Sequence, residues 1–194
     1  AGQYADLDPP HPPGPIEFYL LVPPVQLLGS DVGVLVGAGL FNLTAVLVAA
    51  WVVFRRAGPA VGLLGAVVLS GLAWSQGLAV LTDPVSSNLG GIPLVALAVV
   101  GWAVFDGDVR LLPLWAFAFG FVAQQHLAIV GVSVGTAAWA GLGLVITLVG
   151  WLRARRAATT RAELEAVPRP LPWVIGALVV SLIVWAPVLI DQFW

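Results

Sequence analysis

Few residues in this chain have side chains that can do chemistry, and the two histidines fall in two short polar stretches. One stretch is Asp8-Pro-Pro-His-Pro-Pro-Gly-Pro-Ile-Glu-Phe-Tyr19, which contains one of the two histidines and a glutamate, His11 and Glu17. The other is Gln124-Gln125-His126, which contains the second histidine. Imidazole, carboxyl and amide groups can bind a polar ligand or move a proton, so both stretches are candidate sites.

These residues do not predict a metal centre. His11 and Glu17 are six positions apart across a turn and could share a ligand or a metal ion, but two residues alone do not make a metal site. The chain has no cysteine, which excludes a zinc-thiolate site, a disulfide framework and a thiol nucleophile. The proline-rich stretch also lacks a Ser-His-Asp pattern and a phosphate-binding glycine loop.

The composition places these residues in a membrane protein. The 194 residues are 60% hydrophobic and 9% charged, with a mean hydropathy of +1.00. A soluble domain has about 25% charged residues, so this chain cannot solvate a globular surface. It is therefore predicted to be an integral membrane protein, with membrane lipid around it and no nucleic-acid partner.

Apolar runs of about 20 residues predict an all-α, polytopic bundle of about six transmembrane helices. The predicted spans cover residues 31–54, 59–82, 92–105, 111–130, 132–152 and 171–190. The prolines before and after residues 16–22 make that segment too short to span, and it is predicted to be a short interfacial helix. The chain thus divides into an outer loop, residues 1–29, and a transmembrane bundle, residues 30–194.

The arginines orient the predicted bundle in the plasma membrane. An alternating path through six spans puts all eight on one side, which the positive-inside rule makes the cytoplasm. The N-terminal segment and the C-terminal end are then outside. Since nothing in the chain would carry the N-terminal segment across, an upstream signal or transmembrane helix is expected, and the chain is predicted to be an internal fragment of a larger protein.

Polar side chains inside spans are costly and therefore mark candidate sites. Gln76 in the second predicted span, and Gln125 and His126 in the fourth, fall in the outer half of the bilayer beneath the N-terminal loop. An outward-facing polar site is one interpretation, and packing contacts between helices are the other. Asn42, nearer mid-membrane, is expected to make an interhelical contact more often than to bind substrate.

Several motifs resemble those of type C glycosyltransferases, polytopic enzymes that take a sugar from a polyprenyl-phosphate carrier on the outer side of the membrane. The stretch from Tyr4 to Gly29, with its His-Pro-Pro-Gly, is similar to the first outer loop of that family. Further likeness, also to actinobacterial membrane proteins of this type, lies in Arg55-Arg56, Trp74-Ser-Gln-Gly, Gln125-His126 and Trp185-Ala-Pro-Val-Leu-Ile-Asp191-Gln.

The resemblance implies a membrane glycosyltransferase that moves a sugar from a polyprenyl-phosphate donor to a glycan, lipid or protein acceptor. The family's general base, sometimes assisted by a divalent cation, is an aspartate after the first transmembrane helix. That position would precede Ala1, so the fragment alone is predicted to be inactive and its catalytic residue is unknown. The resemblance implies substrate-binding roles for His11, Gly14, Glu17, Gln76, Gln125 and His126.

Two other functional classes remain open. In a transporter or flippase component the stretch 124–126 would line a pathway, although such proteins favour mid-membrane charges and the predicted spans have none. A non-catalytic or uncharacterised polytopic protein is the third class. The predicted outer side has no arginine, which is a difficulty for a site that binds an anionic lipid phosphate.

Overall fold

The computed structural model describes residues 14–160, 163 and 169–193, and throughout that part of the chain every regular element is helical. The elements are α1 (Ile16–Leu28), α2 (Ser30–Leu81), α3 (Ser86–Leu89), α4 (Gly91–Phe105), a 3-10 turn (Val109–Leu111), α5 (Leu112–Ala123), α6 (Leu127–Ala157) and α7 (Leu171–Phe193). The predicted all-α fold is confirmed. The proposed ligand residue His11 lies outside the described residues.

The long element α2 is a hairpin of two helical arms, residues 30–57 and 59–81, joined at Gly58. Gly58 has a φ of 83°, a conformation that breaks the helix and that glycine adopts without strain. A Cβ atom on Gly62 would overlap Phe54, so the second arm turns back along the first. Towards the other end of the arms, Asn42 Nδ2 donates to the Leu81 carbonyl at 2.8 Å. Asn42 thus makes the interhelical contact expected of it.

Helices α4 and α6 lie side by side and run in the same direction. A Cβ atom on Gly101 of α4 would come 3.4 Å from Thr136 Cγ2 of α6. About one turn further along both helices, the rings of Phe105 and Trp139 stack with their centroids 5.1 Å apart. Helix α4 is the central one, and Leu97 on it has no exposed surface.

Helices α5 and α7 form the other close pair and are also parallel to each other. Gly176 near the start of α7 faces Pro113 near the start of α5, and Gly120 near the end of α5 faces Val184. Since α5 follows α4 after a tight turn, α5 and α7 run opposite to α4 and α6. Helices α4, α5, α6 and α7 therefore alternate in direction along the chain.

The outer surface of this bundle is apolar, as a membrane requires. Three helices of the described chain, α2, α6 and α7, are long and apolar enough to cross a membrane. Large apolar side chains are exposed over these helices, among them Trp74 at 88% and Leu182 at 68%. Helices α4 and α5 are shorter, at 15 and 12 residues, and lie among the longer ones. The chain is an integral membrane protein.

The positions of two helix breaks differ from the prediction. The break between the fourth and fifth predicted spans lies at residues 124–126 and not at Gly131, which is inside α6. Helix α1 also continues through Pro23 and Pro24 to Leu28, where the sequence predicts a break. Packing explains this second difference, because Gly33 and Gly37 of α2 let Leu21 and Pro24 of α1 approach closely.

Ion pairs join the two turns at one end of the bundle, which we call the arginine end. Arg55 pairs with Asp108 at 2.8 Å, and Arg56 pairs with Asp106. These contacts tie the hairpin of α2 to the turn between α4 and α5. The opposite end contains residues 124–126 at the junction of α5 and α6, and we call it the glutamine end.

The close contact of α6 with α4 predicts different outcomes for two glycines on one helix. A Cβ atom on Gly143 would overlap the Phe105 backbone, whereas Gly141 faces open space. Gly143→Ala should lower the free energy of unfolding in detergent by about 1–3 kcal/mol, because the two helices must separate. Gly141→Ala should be neutral or stabilising by up to about 1 kcal/mol. Equal thermal shifts for the two variants would contradict the described packing.

Candidate functional site

Gln124 joins three helices at the glutamine end. Its Oε1 accepts a hydrogen bond from the Ile16 backbone N–H at 3.3 Å, at the start of α1. Its Nε2 donates to the Val184 carbonyl of α7 at 3.0 Å. Both bonds are buried, and the Gln124 side chain has no exposed surface. The Gln124 side chain, at the end of α5, therefore fixes the N-terminal end of α1 against α7.

Gly14 allows this contact to form. The residue is buried, and a Cβ atom there would overlap the amide of Gln124. The Gly14 of the His-Pro-Pro-Gly motif is thus a position of close approach between the chain and a side chain. The structure gives it a packing role, and a role in binding substrate stays a prediction.

Gln125 is buried next to Gln124 but has unused hydrogen-bonding capacity. Its Nε2 donates to the carbonyl of Phe121, four residues earlier in α5, at 3.2 Å. Its Oε1 is fully buried and has no hydrogen-bond partner among the described residues. A buried polar atom without a partner costs about 1–3 kcal/mol, so this acceptor is a position where a ligand group could bind.

His126 forms the start of α6. The residue has an extended backbone, and its Nδ1 accepts from the Ala128 N–H at 3.1 Å as a helix cap. In the neutral imidazole the proton then lies on Nε2, which can act as a donor. Nδ1 is therefore used to cap its own helix, and Nε2 is the atom to which a ligand interaction can be assigned.

Glu17 is a carboxyl group with little access to solvent. Only 3% of the residue is exposed, and α1, its helix, is a short element outside the three long apolar helices. Burial raises the pKa of the Glu17 carboxyl to about 7. In the part of the chain that the structure describes, no basic residue pairs with it. Glu17 is therefore a group that can be neutral or charged near pH 7.

The structure brings most of the predicted site residues to one end of the bundle. Gly14 and Glu17 flank Ile16, which Gln124 holds, and Gln125 and His126 follow Gln124 directly. Gln76 does not join them: it is exposed on the second arm of α2, next to a kink at Gly77.

The sequence pointed to the glutamine pair but not to the different roles of its two members. Nothing in the local sequence distinguishes Gln124 from Gln125, since both follow the same apolar helix. The positions of α1 and α7 show that both the oxygen and the nitrogen of the Gln124 amide are hydrogen-bonded, whereas the oxygen of Gln125 is not. Within residues 14–160, 163 and 169–193, no three His, Asp or Glu side chains are grouped so as to hold a metal ion.

Comparisons of the chain with protein-family models, curated proteins and solved structures find no match. No family is therefore shown for the chain, and the resemblance to type C glycosyltransferases stays a prediction.

The two glutamines should respond differently to the same substitution. Gln124→Leu leaves a buried N–H of Ile16 without its acceptor, and should lower the free energy of unfolding by about 1–3 kcal/mol. Gln125→Leu removes an amide with an unpartnered oxygen, so it should change stability by less than about 1 kcal/mol. Thermal unfolding in mild detergent measures both, and equal destabilisation would show that Gln124 does not hold α1.

Glu17 should make stability depend on pH. In the unfolded chain a glutamate loses its proton near its usual pKa of 4.5, whereas folded Glu17 keeps its proton up to about pH 7. Between these values the unfolded state binds fewer protons, so stability should fall as pH rises, by about 3 kcal/mol in total. Glu17→Gln should remove this fall and be the more stable protein at pH 8.

Glu163 provides the matched control for this measurement. Backbone N–H groups of Thr159 and Thr160 lower the pKa of its exposed carboxyl, so its protonation affects stability mainly below pH 5. Glu163→Gln should therefore leave the slope between pH 5 and 7 unchanged. Parallel stability curves for wild type and Glu17→Gln would contradict the assignment to Glu17.

Proposed function

We propose that the chain belongs to a membrane glycosyltransferase that moves a sugar from a polyprenyl-phosphate carrier to a glycan, lipid or protein acceptor. The observation that carries the proposal is the group of incompletely bonded polar side chains at the glutamine end. Glu17 and Gln125 are buried there among apolar helices. Groups of this kind are costly inside a membrane protein and are characteristic of sites that bind a polar substrate.

The proposed site faces the outside of the cell. The glutamine end lies opposite the described arginines Arg55, Arg56 and Arg110. The positive-inside rule assigns the arginine end to the cytoplasm and the glutamine end to the outer face. Carriers of the polyprenyl-phosphate type would then meet the site with their polar heads at the outer face and their chains in the bilayer.

The side chains at the glutamine end suit a phosphate and a sugar. A carboxyl group with a pKa of about 7 is protonated in part of the molecules at neutral pH, and in that form Glu17 can donate a hydrogen bond to a phosphate oxygen. This offers a donor where no arginine is predicted. The Gln125 Oε1 can accept from a sugar hydroxyl, and the His126 Nε2 can donate to one.

These three residues are assigned to binding and orientation. Activation of the acceptor hydroxyl requires a base close to it, and no described residue is assigned that role. The rate enhancement expected of the binding residues comes from holding the sugar and the leaving phosphate in a reactive geometry.

Sugar transfer in membranes that contain the whole protein tests the proposal. With a radiolabelled polyprenyl-phospho-sugar, Gln125→Leu and Glu17→Leu should each lower kcat/KM about 10-fold or more, which corresponds to about 1.4 kcal/mol or more of lost transition-state binding. Gln76→Ala is the control, since Gln76 is polar but lies apart from this group, and it should retain the wild-type rate.

Two results would count against the proposal. Unchanged rates in Gln125→Leu and Glu17→Leu would return both residues to a packing role. Movement of the carrier across the membrane without transfer of its sugar would favour a transporter or flippase instead.

A further inference from the structure

We infer that an apolar cleft between α1, α2, α4 and α5 binds one acyl chain of a membrane phospholipid, which enters from the side of the bundle. Together with the open space at its mouth, the cleft has an empty volume of about 680 Å³. The inference stands apart from the proposed function, since it needs no sugar or carrier.

The walls of the cleft select hydrocarbon. Phe41 and Val48 of α2 form one side, and Leu114 and Phe121 of α5 form the other. Of the described residues that line it, Thr44 alone has a polar side chain. A charged or strongly polar ligand would lose its hydration there and gain almost no hydrogen bonds, so the cleft excludes a lipid head group.

The depth of the cleft in the bundle identifies the source of the hydrocarbon. At 1.5 Å per residue, Val48 lies about 10 Å along α2 from Arg55, and Phe41 lies about 21 Å from it. Arg55 is at the arginine end, where its ion pair with Asp108 marks the edge of the apolar region. A bilayer has a hydrocarbon core of about 30 Å, so the cleft lies within the depth occupied by acyl chains.

The shape of the cleft fits a chain that lies along the helices. Between Leu114 and Phe121 it extends for about 10 Å. Small side chains, Ala45, Ala96 and Ala118, leave the space that larger residues would fill. Acyl chains of the bilayer run in the same general direction as the helices, so one of them can enter without being bent.

One end of the cleft is closed and the side is open. The rings of Phe41 and Phe121 meet edge to face with centroids 5.4 Å apart, and Leu20 of α1 packs near them. Phe117, at 38% exposure, borders the cleft on α5. A chain bound here would contact α1, α2 and α5 together.

A bulky side chain in the cleft provides the test. The protein is reconstituted in dioleoylphosphatidylglycerol vesicles, extracted, washed with increasing detergent and examined by native mass spectrometry. Wild type should keep one phosphatidylglycerol after the other lipids are removed, and Ala118→Phe should reduce the retained fraction at least 10-fold. Ala45→Leu fills the cleft from the opposite wall and should have the same effect, which guards against misfolding of a single variant.

Ala138→Phe is the matched control, because Ala138 is exposed on α6, outside the cleft. It should retain the lipid as wild type does, and circular dichroism checks that all three variants are folded. Loss of lipid from wild type at the first wash, or equal retention in Ala118→Phe and Ala138→Phe, would overturn the inference. Displacement of the phosphatidylglycerol by an equimolar polyprenyl phosphate would overturn the assignment to a phospholipid chain.

Discussion

The double hydrogen bond of Gln124 is the contact on which the glutamine end depends. One amide side chain accepts from the backbone of α1 and donates to the backbone of α7, and it has no exposed surface. Gly14 leaves room for the amide. Glu17 is the residue after Ile16, so this contact contributes to its position together with the packing of α1 on Gly33 and Gly37 of α2.

Polar groups are paired at one end of the bundle and partly unpaired at the other. At the arginine end, Arg55 and Arg56 each face an aspartate, so charges are neutralised in pairs. At the glutamine end, Glu17 is buried without a described basic partner, and Gln125 keeps an unpartnered oxygen. The ion pairs at the arginine end contribute to holding the turns together. The unpaired groups at the glutamine end can bind a ligand, and they lower stability when no ligand is bound.

The sequence predicts this fold well where local chemistry decides and poorly where contacts between helices decide. Gly58 and Pro59 mark a helix reversal by themselves, and the two arms of α2 follow. The break at residues 124–126 instead results from burial of Gln124 and capping by His126. Two pairs of glycines with Gly-x-x-x-Gly spacing show the same limit: Gly33 and Gly37 pack on α1, whereas Gly131 and Gly135 face open space. The apolar cleft, formed by four helices, has no signal in any one segment.

Binding of a lipid-carrier phosphate at the glutamine end is tested most directly by a cryo-electron microscopy map of the protein in a lipid nanodisc with a polyprenyl phosphate. If the glutamine end is the binding site, phosphate density should lie within hydrogen-bonding distance of Glu17 or Gln125, with α1 still held by Gln124. Phosphate density at the arginine end, beside Arg110, would contradict this assignment.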